Sequence, residues 1–178
     1  MTNKELLDKY HWLTPSNRFS GKFITDCLEP DGETGYWPGT PEEHPDYNYT
    51  WTELDNMPDG WRKAFGLAMC EEINEELKTW PPEMRDRFRI MDIKEKWATL
   101  RFYTNFYTEN LQKIISKYEV VSKYTCIQCG EEAQWITRGW YQPLCTQCAA
   151  KYLREVDYDW TEEFIDIDKF YRNDKEED

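Results

Sequence analysis

The chain has 178 residues with 22 Lys and Arg against 35 Asp and Glu, a formal charge of −13, and its length allows one domain or two small ones. A protein that coats phosphate needs surplus cations to displace condensed counterions, so this balance excludes a general nucleic-acid binder and limits any such contact to a local patch. Nine Trp, twelve Tyr and eight Phe supply core-forming side chains despite a mean hydropathy of −0.92, which argues against wholesale disorder.

The first residues, MTNKELLDKYHWLTPSNRF, hold no apolar run, and the longest one elsewhere is about AFGLAMC, residues 64–70. Secretion and membrane spanning are disfavoured, and a cytoplasmic, reducing setting is expected. Charge comes in blocks. From Phe23 to Trp61 there are ten acids and no Lys or Arg, and from Glu155 to Asp178 eleven acids face Lys169, Arg172 and Lys175, whereas residues 62–154 are mildly basic.

In chain order, Leu6, Leu7, Tyr10 and Trp12 predict a short helix within residues 2–12. From Thr14 to Gly60 the sequence is Pro, Gly and Asp punctuation with Tyr36, Trp37, Tyr47, Tyr49 and Trp51 interspersed, which reads as a long loop or extended arm. Trp61, Phe65, Met69, Ile73 and Leu77 then recur every four residues, with Asp59 as the expected N-cap and Pro81-Pro82 as the stop, predicting a helix over 60–79. The run from Arg87 to Glu95 reads as a strand and Thr99–Thr104 as its antiparallel partner, joined around Lys96-Trp97-Ala98. A second amphipathic helix is expected over 108–122, with Leu111, Ile114, Ile115, Tyr118 and Val121 on one face.

That helix leads into Cys126-Ile-Gln-Cys129-Gly130, and Cys145-Thr-Gln-Cys148 follows with fifteen residues between Cys129 and Cys145. Two such pairs at this spacing are the pattern of a four-thiolate structural zinc site, Cys126, Cys129, Cys145 and Cys148, because a two-residue gap lets both sulfurs of a pair face one ion. Gly130 falls where a tight knuckle needs a permissive backbone. Cys145 and Cys148 open the helical stretch CAAKYLREV, whose positive dipole end favours thiolate. Between the pairs, Gln134–Thr137 and Trp140–Leu144 read as short strands turning near Arg138-Gly139. Knuckle, hairpin and helix together describe a treble clef. Four thiolates close the coordination sphere, so Lewis-acid chemistry at the ion is not expected.

Residues 126–153 resemble the GATA-type zinc finger, in which a CxxCG knuckle and a later LCxxC opening a helix are hallmarks. The resemblance implies the metal fold but not DNA reading, since the hairpin is poor in bases and an acidic tail stands where a basic one would be. Over residues 57–148, the strings MPDGWRKAF, IKEKWATLRFY and YEVVSKYTCIQCG resemble a family of small proteins from phages and prophages, which implies a phage or prophage origin.

Other candidates carry alternatives. Cys27 and Cys70 are left over, and Cys70 reads as a small packing residue. His44, in Glu42-Glu43-His44-Pro45-Asp46, either joins a carboxylate metal site or lies in a solvated loop; His11 completes the histidines. Neither a Gly-rich phosphate loop nor a nucleophile motif is present, so no catalytic residue is nominated. Arg85, Arg87 and Arg89 would share one face of a strand, with Lys94, Lys96 and Arg101 nearby. That patch either holds a phosphate, a nucleotide or an RNA turn, or pairs internally with the acidic segments. In the C-terminal segment Asp157, Asp159, Trp160, Glu162, Glu163, Phe164, Asp166, Asp168 and Phe170 alternate acids with apolar anchors. This composition suits docking to a basic partner, unless the anchors pack on the chain's own domain.

The expected fold is α+β: an N-terminal helix and acidic aromatic-rich arm (1–57), a helix-hairpin-helix core (58–123), a four-cysteine treble-clef zinc module (124–155) and an acidic segment (156–178). The expected function is a non-enzymatic, zinc-stabilised acidic protein that inhibits or adapts a basic host protein, such as a nucleic-acid-handling or defence protein, in the bacterial cytoplasm. The alternative is a nucleic-acid or nucleotide-binding module centred on the Arg/Lys hairpin.

Overall fold

The computed structural model describes residues 1–15, 51–156 and 164–173. The arm with Cys27 and His44, and the proposed anchors Asp157, Asp159, Trp160, Glu162 and Glu163, lie outside the described residues. The fold is α+β.

Helix α1 (Asn3–Lys9) starts at a capping box in which Thr2 and Glu5 exchange hydrogen bonds, satisfying two amides that the helix leaves open. It ends earlier than the apolar spacing suggests because Tyr10 leaves helical geometry at φ −133°. A 3-10 turn (His11–Leu13) then buries Trp12 and Leu13. A second 3-10 turn (Glu53–Asn56) is fastened where the Thr52 N–H donates to Asp55 Oδ2 at 2.6 Å.

The next rod runs from α2 (Asp59–Trp61) through a π turn (Arg62–Gly66) into α3 (Leu67–Lys78). All five residues of the four-residue repeat, Trp61 to Leu77, are buried. Each four-residue step overshoots a turn of 3.6 residues by about 40°, and the wider π turn takes up part of that drift, holding the apolar stripe on one face. Asp59 is not the N-cap; it is the first helical residue, and no side chain caps this end. Instead the Gly60 N–H donates to the Ile127 carbonyl at 2.9 Å, so a tertiary partner replaces the local cap.

Pro81 and Pro82 do not simply stop the helix. Pro82 starts a short α4 (Pro82–Arg85), a position where its missing N–H costs nothing. Strand β1 (Ile90–Lys96) begins three residues later than expected. Arg87 and Phe88 donate their N–H groups to Met84 and Arg85 carbonyls, and the Asn105 side chain bonds the Arg89 N–H and the Arg87 carbonyl. Arg85, Arg87 and Arg89 therefore sit on a helix end and a turn, and do not alternate along one strand face.

β1 pairs antiparallel with β2 (Thr99–Thr104), with a bulge between Ile90 and Asp92. The two central residues of the connecting turn, Trp97 and Ala98, have φ of 56° and 58°. Helix α5 (Glu109–Lys123), capped by Thr108, lies against β2, where the Leu100 N–H donates to Ser122 Oγ at 2.8 Å; this occupies a strand group that would otherwise be an open edge. Phe65 stacks on Tyr118 with centroids 5.6 Å apart, and Phe88 meets Trp12 and Trp80 edge-on, each at 5.7 Å.

The C-terminal part comprises β3 (Trp135–Thr137), β4 (Pro143–Leu144), α6 (Thr146–Val156), β5 (Phe164–Asp166) and α7 (Ile167–Asn173). β3 pairs antiparallel with both β4 and β5. No strand was expected in the C-terminal segment, and its addition to β3 makes a three-stranded sheet. The segment boundaries at 57/58 and 123/124 do not separate cores: Leu6, Trp61, Leu100, Cys126, Leu144 and Phe164 belong to one continuous buried cluster.

Candidate metal centre

The turn after α5 is closed by main-chain hydrogen bonds. The Cys126 N–H donates to the Glu131 carbonyl at 2.7 Å and the Gly130 N–H returns to the Cys126 carbonyl at 3.0 Å. Closing that loop requires φ +87° at Gly130, a conformation that glycine adopts without Cβ strain. The second pair lies at the start of α6, where the Cys148 N–H donates to Cys145 Sγ at 3.4 Å, and Trp135↔Leu144 pairing brings this end of β4 back beside the knuckle.

These elements gather Cys126, Cys129, Cys145 and Cys148 so that their sulfurs all lie within 4.8 Å of one another. Cys129 and Cys145 Sγ are 3.6 Å apart. A tetrahedral ion with metal–sulfur bonds of about 2.3 Å sets its sulfurs about 3.8 Å apart, so the residues present fit a four-coordinate metal. Cys126 and Cys145 are buried and the other two half-buried. Burial pushes the Cys126 thiol up, but N–H groups of Cys145, Cys129 and Gln128 aimed at its sulfur more than offset that and leave it below its ordinary value. Burial raises Cys129 against the opposing Glu131 N–H, with the Cys126 and Cys145 sulfurs adding to the rise, and burial raises Cys148, where the Cys129, Cys145 and Cys126 sulfurs all add to it. Packed thiols resist sharing negative charge, and a divalent cation relieves that resistance. Among the described residues no other group of three or more His, Cys, Asp or Glu brings its ligand atoms together in this way.

No family model, curated protein or solved structure matches this chain. What the centre does must be read from its surroundings.

The knuckle is seated on the start of the α2–α3 rod. Besides the Gly60–Ile127 bond, the buried Trp61 Nε1 donates to the Thr125 carbonyl at 2.8 Å, and Lys63 Nζ reaches the Cys129 carbonyl at 3.1 Å. A Cβ on Gly60 would stand 2.3 Å from the Cys126 carbonyl oxygen, and one on Gly130 would stand 2.7 Å from the Gly60 oxygen. Two glycines thus let two backbones touch. The sequence reading gave Gly130 its turn but assigned Gly60 no role; its signal was a glycine one residue inside a helix, where glycine is otherwise unfavourable.

The six basic candidates do not form one patch. Lys94 and Arg101 are cross-strand partners on the hairpin; Lys94 pairs with Asp92 and Arg101 approaches Glu119 at 3.9 Å, while Lys96 is exposed further along β1. Arg85 and Arg89 instead line a cleft of about 280 Å³ with Lys9, His11 and Lys78, over a floor that includes Trp12 and Leu77. Sequence reading missed those three contributors because they lie on α1, the 3-10 turn and α3. Arg87 is exposed.

Phe164 and Tyr171 of the C-terminal segment are buried, and Phe170 is half-buried with its ring 4.9 Å from Tyr141. Of the apolar footholds expected for a partner, the two among the described residues, Phe164 and Phe170, are therefore seated on the chain's own fold. Asp166 Oδ1 accepts the N–H groups of Asp168 and Lys169 at the start of α7, and both acids remain exposed. Cys70 is fully buried, and burial raises its thiol to about 12, as a packing role requires. No helix among the described residues is long and apolar enough to cross a membrane.

Proposed function

We propose that the chain is a non-enzymatic binding protein whose helix-hairpin-helix core and treble-clef module are pinned by one structural zinc ion at Cys126, Cys129, Cys145 and Cys148, and that it presents negative charge to a basic protein partner. The observation that carries this reading is the closed set of four sulfurs on a chain of charge −13. Four thiolates leave no coordination position for water or substrate, so zinc supplies folding energy and no chemistry. Surplus carboxylates steer a cationic partner to the surface and occupy the places where phosphates would otherwise sit. The resemblance of residues 57–148 to phage and prophage proteins supports a bacterial host cytoplasm as the setting and a host nucleic-acid-handling or defence protein as the partner, inhibited or redirected by occlusion.

The test is affinity capture from host lysate with the intact chain and with a chain in which the acids of residues 155–178 are changed to their amides. Basic proteins retained by the first, lost on the second and released by added salt are the expected outcome. Equal retention by both chains contradicts the proposal.

A second reading is favoured by the cleft between α1, α3 and α4. Lys9, His11, Lys78, Arg85 and Arg89 line it with one acid, Asp86; Arg89 is held by the Asp86 and Phe88 carbonyls, and the exposed pairs Lys9–Glu71, Lys78–Glu75 and Arg85–Asp86 are of the kind worth little in water, so a phosphate would displace them readily. Titration with a nucleoside monophosphate, with Lys78→Glu and Arg85→Glu as the comparison, distinguishes it. Binding abolished by these changes favours a nucleotide ligand over a protein partner.

A further inference from the structure

Two loop tips from distant parts of the chain meet at one hollow. The β1–β2 turn brings Trp97, and the β3–β4 turn brings Gly139, Trp140 and Tyr141, around a cavity of about 420 Å³ completed by Glu95 and Lys96. Trp97 is 62% exposed and Trp140 75%, although large aromatic groups seek cover in a protein free to bury them. The Trp97 and Tyr141 rings are 5.6 Å apart and tilted by 37°. The hollow is braced from behind: Phe170 packs on Tyr141, and the buried Tyr171 hydroxyl donates to the Ala98 carbonyl at 3.1 Å.

Turn chemistry does not account for Trp97. A two-residue turn with positive φ at both positions favours Asn-Gly or Asp-Gly, and a bulky side chain in that region is strained. The strain is held in place by Glu95, whose Oε1 accepts the Ala98 N–H at 2.7 Å, and by Tyr171 beneath. Strained backbone that displays an exposed indole instead of relaxing points to binding.

The electrostatics select the guest. Indole and phenol faces carry negative potential and attract cations. Glu95 places a half-buried carboxylate at the wall; burial makes that carboxyl harder to ionise, the Ala98 N–H and the Arg101 charge offset this only in part, and a further cation would favour the ionised form. Glu95 also borders an adjoining hollow with Asp59, Gln128 and Gln142, so carboxylates outnumber Lys96 along the path. Guanidinium stacks on aromatic faces and meets carboxylates with two parallel hydrogen bonds, which ammonium cannot do. We propose that the Trp97–Trp140–Tyr141 hollow receives an arginine side chain of the basic partner. This rests on the partner reading above and names where the partner is anchored.

The test uses the full chain with nona-arginine as probe, titrated by calorimetry at low salt, with the indole N–H signals of labelled protein marking the site. Trp97→Ala and Trp140→Ala should each weaken binding by about tenfold or more, the scale of an aromatic interface anchor. Glu95→Gln, which keeps an acceptor for the Ala98 N–H, should weaken it several-fold. Trp97→Phe should stay near the parent, and nona-lysine should bind more weakly than nona-arginine. Unchanged circular dichroism shows that each variant is folded. Equal affinity of all variants overturns the hollow as the anchor while leaving the acidic-surface reading in place. Failure of nona-arginine to bind the parent chain at all contradicts both. Preferential perturbation of the Trp97 and Trp140 signals by oligothymidylate would overturn the arginine assignment in favour of base stacking.

Discussion

Changing Gly60 to Ala tests how the cysteine knuckle is coupled to the rest of the fold. The new Cβ would lie 2.3 Å from the Cys126 oxygen and 2.6 Å from both the carbonyl carbon and oxygen of Ile127, all of them main-chain atoms. Relief to ordinary contact distances requires the knuckle and the rod to part by roughly 1 Å. That displacement strains or breaks the Gly60–Ile127 bond and the Trp61–Thr125 bond, and each buried donor left without its acceptor costs about 1–3 kcal/mol. Alanine returns about 1 kcal/mol through better helix propensity. The net expectation is a loss of about 2–4 kcal/mol, or roughly 5–15 °C in melting temperature for a chain of this size. Gly66→Ala is the internal control, because its Cβ would meet Arg62 Cγ at 3.5 Å and Leu54 methyls at 3.7 Å, ordinary contacts; it should be neutral or slightly stabilising. Urea and thermal melts of metal-loaded protein read both variants. If Gly60→Ala melts with Gly66→Ala, the knuckle does not depend on this seat and the reasoning fails.

Other outcomes follow from the same structure. Trp97→Gly removes the cost of a bulky residue at φ 56° and should stabilise the chain by about 1 kcal/mol, raising the melting temperature while removing an arginine contact; a lower melting temperature contradicts the strain argument. Cys70, with its thiol raised to about 12 by burial, holds roughly one thiolate in ten thousand at pH 8, so iodoacetamide should leave it unmodified until the core opens, as peptide mass mapping will register. The Lys9 ammonium and the Tyr10 hydroxyl hold Glu71 below its ordinary 4.5, and Lys117, followed by Tyr118, does the same for Glu72 against a rise from burial. Because the folded values are depressed, these ties between α3, α1 and α5 are present above the unfolded value and lost as pH falls through the folded ones. Both pairs are exposed and screened by solvent, so melting temperature from about pH 6 to about pH 3 should fall only slightly less steeply in Glu71→Gln/Glu72→Gln than in the parent, and a steeper fall would contradict the ties. Removing metal with a strong chelator should expose residues 124–155 to protease; unchanged digestion and dichroism would count against a structural ion.

The helices were legible where the apolar period was long: Trp61 to Leu77 recur every four residues and all lie on the buried face, and Leu111, Ile115 and Tyr118 are buried on the second helix. The cysteine pairs were legible because their spacing is itself a geometric statement. Arg87 and Arg89 were misplaced because alternation over a few residues cannot outweigh the Asn105 side chain, eighteen and sixteen positions away, which ties that stretch into a turn. Asp59 was misassigned as a cap because the actual partner of the helix end is the carbonyl of Ile127, a contact no local pattern encodes. The pairing of β5 with β3 rests on three residues, too short for a periodic signal. The meeting of Trp97 with Tyr141, and of Lys9 with Arg85, depends on where turns and helices converge in space, and nothing in either segment alone marks it.

The central claim is that four thiolates, and nothing else, hold one ion that fastens the knuckle to the helix. X-ray absorption at the zinc edge of the purified chain tests it most directly. One zinc per chain, surrounded by four sulfurs at about 2.3 Å, is the predicted result. Oxygen or nitrogen in the first coordination sphere, or a fully folded chain that carries no metal, would contradict it.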